Sequence, residues 1–183
     1  MARYVTTAEL RGFAADIPIL EQASLRKSIQ SRSLAGSTFL SHSSKDDDLV
    51  IGATTVLENH GARVYVDEVD PAMPPYTSEE TANLFKRRIA QARRFVLLAS
   101  PNSKDSRWVP WEHGIAEGDK GLDRIALFPA SDSGDGWAKW EYLGLYRRIA
   151  YGALKGEDNL VWMVIDEKRN KAVELSRWLK AVP

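Results

Sequence analysis

Two polar segments of this 183-residue chain contain the residue types that chemistry on a sugar requires. Residues 41–46 read Ser-His-Ser-Ser-Lys-Asp, and residues 100–107 form a second hydroxyl-rich segment that leads into Trp108 and Glu112. Hydroxyl groups and isolated cations suit a ligand made of ribose and phosphate better than an apolar ligand. Trp108 and Glu112 are four residues apart, so a helix would place an indole beside a carboxylate on one face. Such an indole desolvates the carboxylate and strengthens its electrostatic interactions.

The same residues also have simpler structural explanations, and spacing alone leaves both interpretations open. A glutamate in the first turn of a helix, such as Glu112, interacts favourably with the helix dipole. A tryptophan at the start of a helix is often part of the core. Clusters of serine and aspartate after a strand, such as those that end at Asp46–Asp48, often cap the next helix.

The elements around these segments predict an α/β fold. Five short apolar runs predict strands, and they occupy residues 37–40, 63–66, 95–99, 125–128 and 160–165. Helical spacing of apolar residues separates them. The predicted helices lie at 49–60, after a capping box at 77–80, from 108 to just before Gly118, at about 137–149 and in a last helix that includes Ala172 and Leu179. This alternation is typical of a doubly wound parallel sheet with helices on both faces. In the flavodoxin-like strand order 2-1-3-4-5, ligands bind between strands one and three, where both polar segments begin.

The first 36 residues lie outside this alternation. Thr7 is the predicted cap of a short helix, and Leu20–Gln30 form a second predicted helix, with Pro18 between them. We therefore expect an N-terminal helical extension at 1–36 and an α/β domain at 37–183. The extension either packs on the domain or contacts a partner.

Composition excludes several classes of function. The chain has 25 basic and 25 acidic residues. When the sequence is divided into thirds, none has a marked excess of basic residues, which disfavours a nucleic-acid binder. It has no cysteine, its three histidines lack metal-ligand spacing, and it contains neither a dinucleotide-binding glycine motif nor a P-loop. We therefore expect no metal and no bound cofactor. The longest apolar stretch, Phe95–Ala99, is far shorter than the roughly 20 residues that a membrane span needs, so we expect a cytoplasmic protein without membrane contact.

Both polar segments resemble motifs of the Toll/interleukin-1 receptor (TIR) domain family. Residues 39–46, Phe-Leu-Ser-His-Ser-Ser-Lys-Asp, resemble the first box of that family, and residues 106–112 resemble the Ser-x-Trp-x-x-x-Glu segment of TIR domains that hydrolyse NAD⁺. The resemblance extends over about residues 37–165. The chain is most similar to bacterial TIR proteins of antiphage defence, such as the signal-making component of Thoeris systems.

The resemblance implies a flavodoxin-like, five-stranded parallel sheet of order 2-1-3-4-5 and cleavage of the nicotinamide–ribose bond of NAD⁺, which is a substrate rather than a cofactor. Glu112 matches the catalytic glutamate of the family. Residues 41–45 match the loop that borders the dinucleotide, and Trp108 matches the aromatic residue before the glutamate. Tyr76 could stack on a base, although a surface tyrosine fits as well. The candidate substrate-binding residues are Ser41, His42, Ser43, Lys45, Tyr76, Trp108 and Trp111.

Residues 68–75 replace the glycine-containing turn that is usual in family members acting as adaptors, which disfavours an adaptor. Two alternatives stay open. The chain could be a non-catalytic module that assembles with other TIR domains, or an enzyme of the nucleoside deoxyribosyltransferase type. The expected partners are NAD⁺, further copies of the chain through the TIR domain, and a downstream effector that receives a nucleotide signal.

Overall fold

A central sheet with helices on both faces forms the protein. The computed structural model describes residues 2–66, 79–106, 108–133 and 143–181. The strands are β1 (Val5–Thr6), β2 (Thr38–Ser41), β3 (Val64–Tyr65), β4 (Arg94–Ala99), β5 (Ile125–Ser131), β6 (Arg147–Ala153), β7 (Leu160–Asp166) and β8 (Lys171–Glu174). The helices are α1 (Thr7–Ala15), α2 (Ile19–Ser31), α3 (Asp47–Asn59), α4 (Glu79–Gln91), α5 (Trp108–Lys120) and α6 (Leu175–Lys180). Within the described ranges, no helix is both long enough and apolar enough to cross a membrane.

The sheet has the strand order β3-β2-β4-β5-β6-β7-β8, and β1 pairs with the end of β5. β3, β2, β4 and β5 are parallel neighbours, which is the predicted order 2-1-3-4 of the first four strands. The predicted flavodoxin-like α/β class is therefore confirmed. β2 lies between β3 and β4, so the chain winds away from it in both directions.

The sheet differs from the prediction after its fourth strand. The fifth position is taken by β6, parallel to β5, whereas the predicted fifth strand is β7 and runs antiparallel to β6. The helix predicted at 137–149 is wrong over 147–149, which belong to β6, and residues 134–142 lie outside the described ranges. Apolar residues at 145, 146, 149 and 150 fit helical spacing, but only 149 and 150 lie in β6, where successive side chains point to opposite faces. Likewise, Ala172 lies in β8, and α6 begins only at Leu175.

Alternate residues of β4 contact different helical layers. Val96 and Leu98 belong to an apolar cluster that also contains buried side chains of α1, α3 and α6. Phe95, Leu97 and Ala99 belong to a second cluster, which contains buried side chains of α4 and α5. The strand is apolar throughout because both faces of the sheet are covered.

The two predicted N-terminal helices are present as α1 and α2. Thr6, rather than Thr7, caps α1: its hydroxyl accepts from the amide of Glu9, and the Glu9 carboxylate accepts from the amide of Thr6. α1 packs so closely on α3 that a Cβ on Gly52 would lie 2.0 Å from the carbonyl oxygen of Leu10. The extension therefore packs on the α/β domain, while the boundary between residues 36 and 37 stays a prediction.

Glycines with positive φ end two of the helices that flank the sheet. α3 stops just before Gly61, at φ 92°, as predicted. α5 continues past Gly118, its predicted end, and stops before Gly121, at φ 69°. The ammonium group of Lys120 donates to the carbonyl oxygen of Ala92 at 2.6 Å, and this bond ties the end of α5 to the end of α4.

Candidate active site

The first polar segment begins at the carboxyl end of β2, and the second begins at the carboxyl end of β4. Ser41 is the last residue of β2, and Ser100 directly follows β4. Since β2 and β4 are parallel neighbours, the two segments start at the same edge of the sheet, which we call the carboxyl edge. The winding direction reverses at β2, and ligands of doubly wound sheets bind at such a reversal.

Glu112 and Ser41 meet at this edge. The hydroxyl group of Ser41 donates to Oε2 of Glu112 at 2.5 Å, across 71 residues of sequence. Both residues are buried, with Glu112 only 3% exposed. A glutamate that only favoured the helix dipole would extend into solvent, whereas this one is held against the end of the neighbouring strand. The structure thus brings together the two residues that the sequence placed in separate segments.

Asp46 connects the two segments a second time. Its carboxylate accepts from the hydroxyl group of Ser100 at 2.5 Å and from the side-chain amide of Asn102 at 2.7 Å, and it is 1% exposed. Helix capping was the structural alternative for the cluster at Asp46–Asp48, but the side chain of Asp46 makes no capping hydrogen bond to α3. Nothing in the spacing distinguishes it from Asp47 and Asp48, which do lie in the first turn of α3.

The other predicted residues of the first segment follow Ser41 directly. His42 is 8% exposed, and its Nε2 lies 3.4 Å from Oδ1 of Asp47. The hydrogen bond from His42 is the main reason why the pKa of Asp47 is lowered. Ser43 is buried and caps the 3-10 turn at Ser44–Asp46, while Lys45 is exposed.

The aromatic candidates are placed less completely. The ring of Trp111 lies 6.2 Å from the ring of Phe85 at 80°, which packs it between α5 and α4. Trp108 is the first residue of α5, but its side chain lies outside the described part of the structure, as does the whole of Tyr76. The structure therefore joins Glu112 to Ser41 and Trp111 to the α4 layer.

His113, the neighbour of Glu112, is a feature that sequence reasoning missed. It is 2% exposed, and its ring lies 4.1 Å from that of Tyr146 and 5.9 Å from that of Phe95, both in edge contacts. Burial lowers its pKa to about 4, only slightly opposed by the charge of Glu117. A neutral imidazole therefore anchors α5 in the apolar layer beneath Glu112.

The positions of the acidic residues favour electrostatic stabilisation by a carboxylate. In the described ranges, no three histidine or acidic residues lie close enough to hold a metal ion. Two buried carboxylates, Glu112 and Asp46, lie at the edge where a ligand of a doubly wound sheet binds. Carboxylates in a desolvated position strongly stabilise a cation that develops beside them.

Comparison with known proteins identifies the family of the chain. The profile of the TIR domain matches residues 38–160, which include β2, α5 and both polar segments. One relative, from Bacillus cereus (strain MSX-D12), is named "Probable 3′ cyclic ADP-D-ribose synthase ThsB′". The two chains are 31% identical over 147 residues, which cover 78% of this chain and 74% of the relative. This chain therefore belongs to the TIR-domain family.

Proposed function

We propose that this chain is an NAD⁺-cleaving TIR enzyme of antiphage defence, in which the carboxylate of Glu112 stabilises the transition state. The observation that carries the proposal is the buried Ser41–Glu112 hydrogen bond at the carboxyl edge. The similarity to a cyclic ADP-ribose synthase supports NAD⁺ as the substrate.

The reaction needs little machinery because of its leaving group. The bond between ribose carbon 1 and the nicotinamide nitrogen breaks, and its electron pair neutralises the cationic ring. Nicotinamide therefore leaves without a general acid, unlike the leaving group of an ordinary glycoside. The ribose becomes an oxocarbenium-like cation, which the carboxylate of Glu112 stabilises. The Ser41 hydroxyl positions that carboxylate.

The oxygen that attacks the ribose cation decides the product. Attack by water, with loss of one proton, gives ADP-ribose. Attack by a hydroxyl group of the same molecule, again with loss of a proton, gives a cyclic product. The name of the relative favours cyclisation.

The remaining candidates border the substrate in this proposal. The exposed ammonium group of Lys45 pairs with the pyrophosphate, and His42 and Ser43 shape the loop that approaches it. Trp108, Trp111 and Tyr76 supply flat apolar surfaces for the bases.

The test is to incubate the purified protein with NAD⁺ and to follow nicotinamide by chromatography, with mass spectrometry of the second product. A cyclic product is lighter than ADP-ribose by one water molecule. Glu112→Gln keeps the shape of the side chain but removes its charge, so we expect nicotinamide release to fall at least about a hundredfold. Ser41→Ala should cost about tenfold, since it removes only a hydrogen bond to the carboxylate.

Glu117→Gln is the matched control, because Glu117 lies on the same helix but is exposed. It should keep the activity, and circular dichroism should show that all three variants are folded. Wild-type rates in Glu112→Gln would contradict the catalytic role of Glu112.

Self-association through the TIR domain is part of the proposal. The whole chain has a formal net charge of 0, so copies of it repel one another only weakly. We expect the specific rate of nicotinamide release to rise with protein concentration, together with the mass measured by light scattering. A specific rate independent of concentration would argue for an active monomer.

The same assay separates the alternatives. A non-catalytic TIR module would leave NAD⁺ intact at every protein concentration. A deoxyribosyltransferase-like enzyme would exchange bases on a deoxynucleoside and ignore NAD⁺. In a bacterial host, the defence role predicts that protection against phage is lost with Glu112→Gln, and that a nucleotide product passes to a downstream effector.

A further inference from the structure

A groove of about 390 Å³ lies at the other end of the parallel strands from Ser41 and Glu112. Arg147, which lines it, is the first residue of β6, and β6 continues the parallel set of β2, β4 and β5. The groove therefore lies at the opposite edge from Ser41, which we call the amino edge. β7, β8 and α6 complete its walls.

Four cations line this groove, together with one acid, Asp166. Arg147 and Arg169 share Asp166 and the nearby Asp123, with nitrogen–oxygen distances from 2.5 to 3.3 Å. These two arginines are therefore neutralised by two aspartates.

The other two cations, Lys171 and Arg177, are exposed and have no carboxylate partner among the described residues. They project from different elements, β8 and α6, onto the same groove. The groove thus has a surplus of positive charge.

Further cations surround the groove. Arg93 and Arg94 lie at the start of β4 and donate to carbonyl oxygens at the end of α6, and neither pairs with a carboxylate of the described ranges. Burial, followed by the charges of Arg93, Arg124 and Arg147, lowers the pKa of Arg94 to about 10. Since the whole chain has a formal net charge of 0, this edge concentrates positive charge that other surfaces offset.

The apolar part of the groove is already fixed in place. Trp178 is 4% exposed, its indole nitrogen donates to the carbonyl oxygen of Asp123 at 3.1 Å, and the Arg94 guanidinium lies 4.6 Å from its ring. Val164 of β7 lines the same wall. Small-ligand sites combine such preformed apolar walls with a few polar groups, in volumes of about 300–1,000 Å³.

We propose that this groove is a second ligand site, which binds a small phosphorylated molecule of mononucleotide size through Lys171 and Arg177. A guanidinium group binds a phosphate through two parallel hydrogen bonds, and a lysine adds a point charge. A groove of this volume holds a mononucleotide but not a folded acidic segment. The site is separate from the candidate active site and does not depend on its activity.

Isothermal titration with inorganic pyrophosphate, AMP and uncharged adenosine tests this site. We expect saturable binding of pyrophosphate and AMP, and at least about tenfold weaker binding of adenosine. The double variant Lys171→Gln/Arg177→Gln should weaken pyrophosphate binding at least about tenfold. The matched control is Lys27→Gln/Lys155→Gln, which removes two exposed cations elsewhere and should leave the affinity unchanged.

Three results would overturn the proposal. One is the absence of saturable binding of pyrophosphate and AMP to the wild-type protein. Another is an equal loss of affinity in the two double variants, which would indicate general charge attraction. The third is loss of binding in Lys45→Gln with retention in Lys171→Gln/Arg177→Gln, which would place the phosphate at the candidate active site. The expected result for Lys45→Gln is unchanged binding at the groove.

Discussion

The two edges of the sheet hold their carboxylates in opposite ways. At the carboxyl edge, Asp46 is 1% exposed, and neutral groups of Ser100 and Asn102 donate to it. At the amino edge, the side chain of Asp123 is 67% exposed and pairs with the guanidinium groups of Arg147 and Arg169. One edge therefore has buried acids next to neutral donors, and the other has an exposed acid, Asp123, among surplus cations.

This difference is the one that the two proposed ligands require. A ribose that becomes cationic needs an acid whose charge is not cancelled by a neighbouring base. A phosphate needs cations that are not fully neutralised by acids. A fold with formal net charge 0 can thus have two edges of opposite character, and the contrast makes separate predictions for stability at each edge.

The largest expected effect is the difference in stability lost when one carboxylate is removed from each edge. Asp46→Ala leaves the buried donors of Ser100 and Asn102 without their acceptor, and we expect it to lower the free energy of unfolding by about 3 kcal/mol. Asp123→Ala removes only solvent-screened ion pairs and should cost about 1 kcal/mol or less. Urea unfolding of both variants measures the difference.

Equal losses of unfolding free energy in these two variants would mean that the hydrogen bonds of Asp46 stabilise the fold no more than exposed ion pairs do. Asp48→Ala is a control for Asp46→Ala, because Asp48 is only two residues away. Its side chain is half exposed and pairs with Arg11. It should behave like Asp123→Ala.

A smaller effect is expected from acid. The pKa of His113 is lowered by burial from 6.5 to about 4, so the unfolded chain binds a proton that the folded chain excludes. Its contribution to stability is full above pH 6.5 and is lost as the pH falls towards 4. We expect about 2 kcal/mol of loss between about pH 7 and pH 5.

The stabilising contribution of Asp123 at the amino edge should be lost at lower pH than that of His113. Hydrogen bonding from Arg169 lowers the pKa of Asp123 below 3.8, so its contribution is present above that pH and is lost only as the pH falls further. His113→Phe keeps an aromatic ring without a titrating group and should flatten the slope of stability between pH 7 and 5. A slope that persists in His113→Phe would assign the effect to another group.

β2, β3, β4 and β5 could be predicted from the sequence because each is a short apolar run followed by a polar segment or proline, whereas the two-residue β1 was not predicted. The last third could not. Residues 145–150 have apolar positions that fit a helix and a strand equally well, and only pairing with β5 and β7 decides for β6. The antiparallel turn from β7 to β8 depends in the same way on tertiary contacts.

At the site, the local motif identified Glu112 and Ser41, but not why Asp46 and His113 matter. Asp46 acts through Ser100 and Asn102, which follow another strand 54 and 56 residues later. The pKa of His113 depends on its burial in the layer that also holds Phe95 and Tyr146. Such interactions exist only after the sheet has formed, so spacing along the chain carries no signal of them.

The smallest expected effect is the coupling energy of a single exposed ion pair. A double-mutant cycle on Arg169→Ala and Asp123→Ala, measured by urea unfolding, should give about 0.2–1 kcal/mol at low salt. At about 1 M salt, where the screening length is roughly 3 Å, the coupling should vanish because both side chains are more than half exposed. The same cycle on Ser41→Ala and Glu112→Gln should be insensitive to salt, since both groups are buried and one of them is neutral. An equal salt dependence at the two edges would show that solvent screens Glu112 as well, which would remove the electrostatic basis of the contrast.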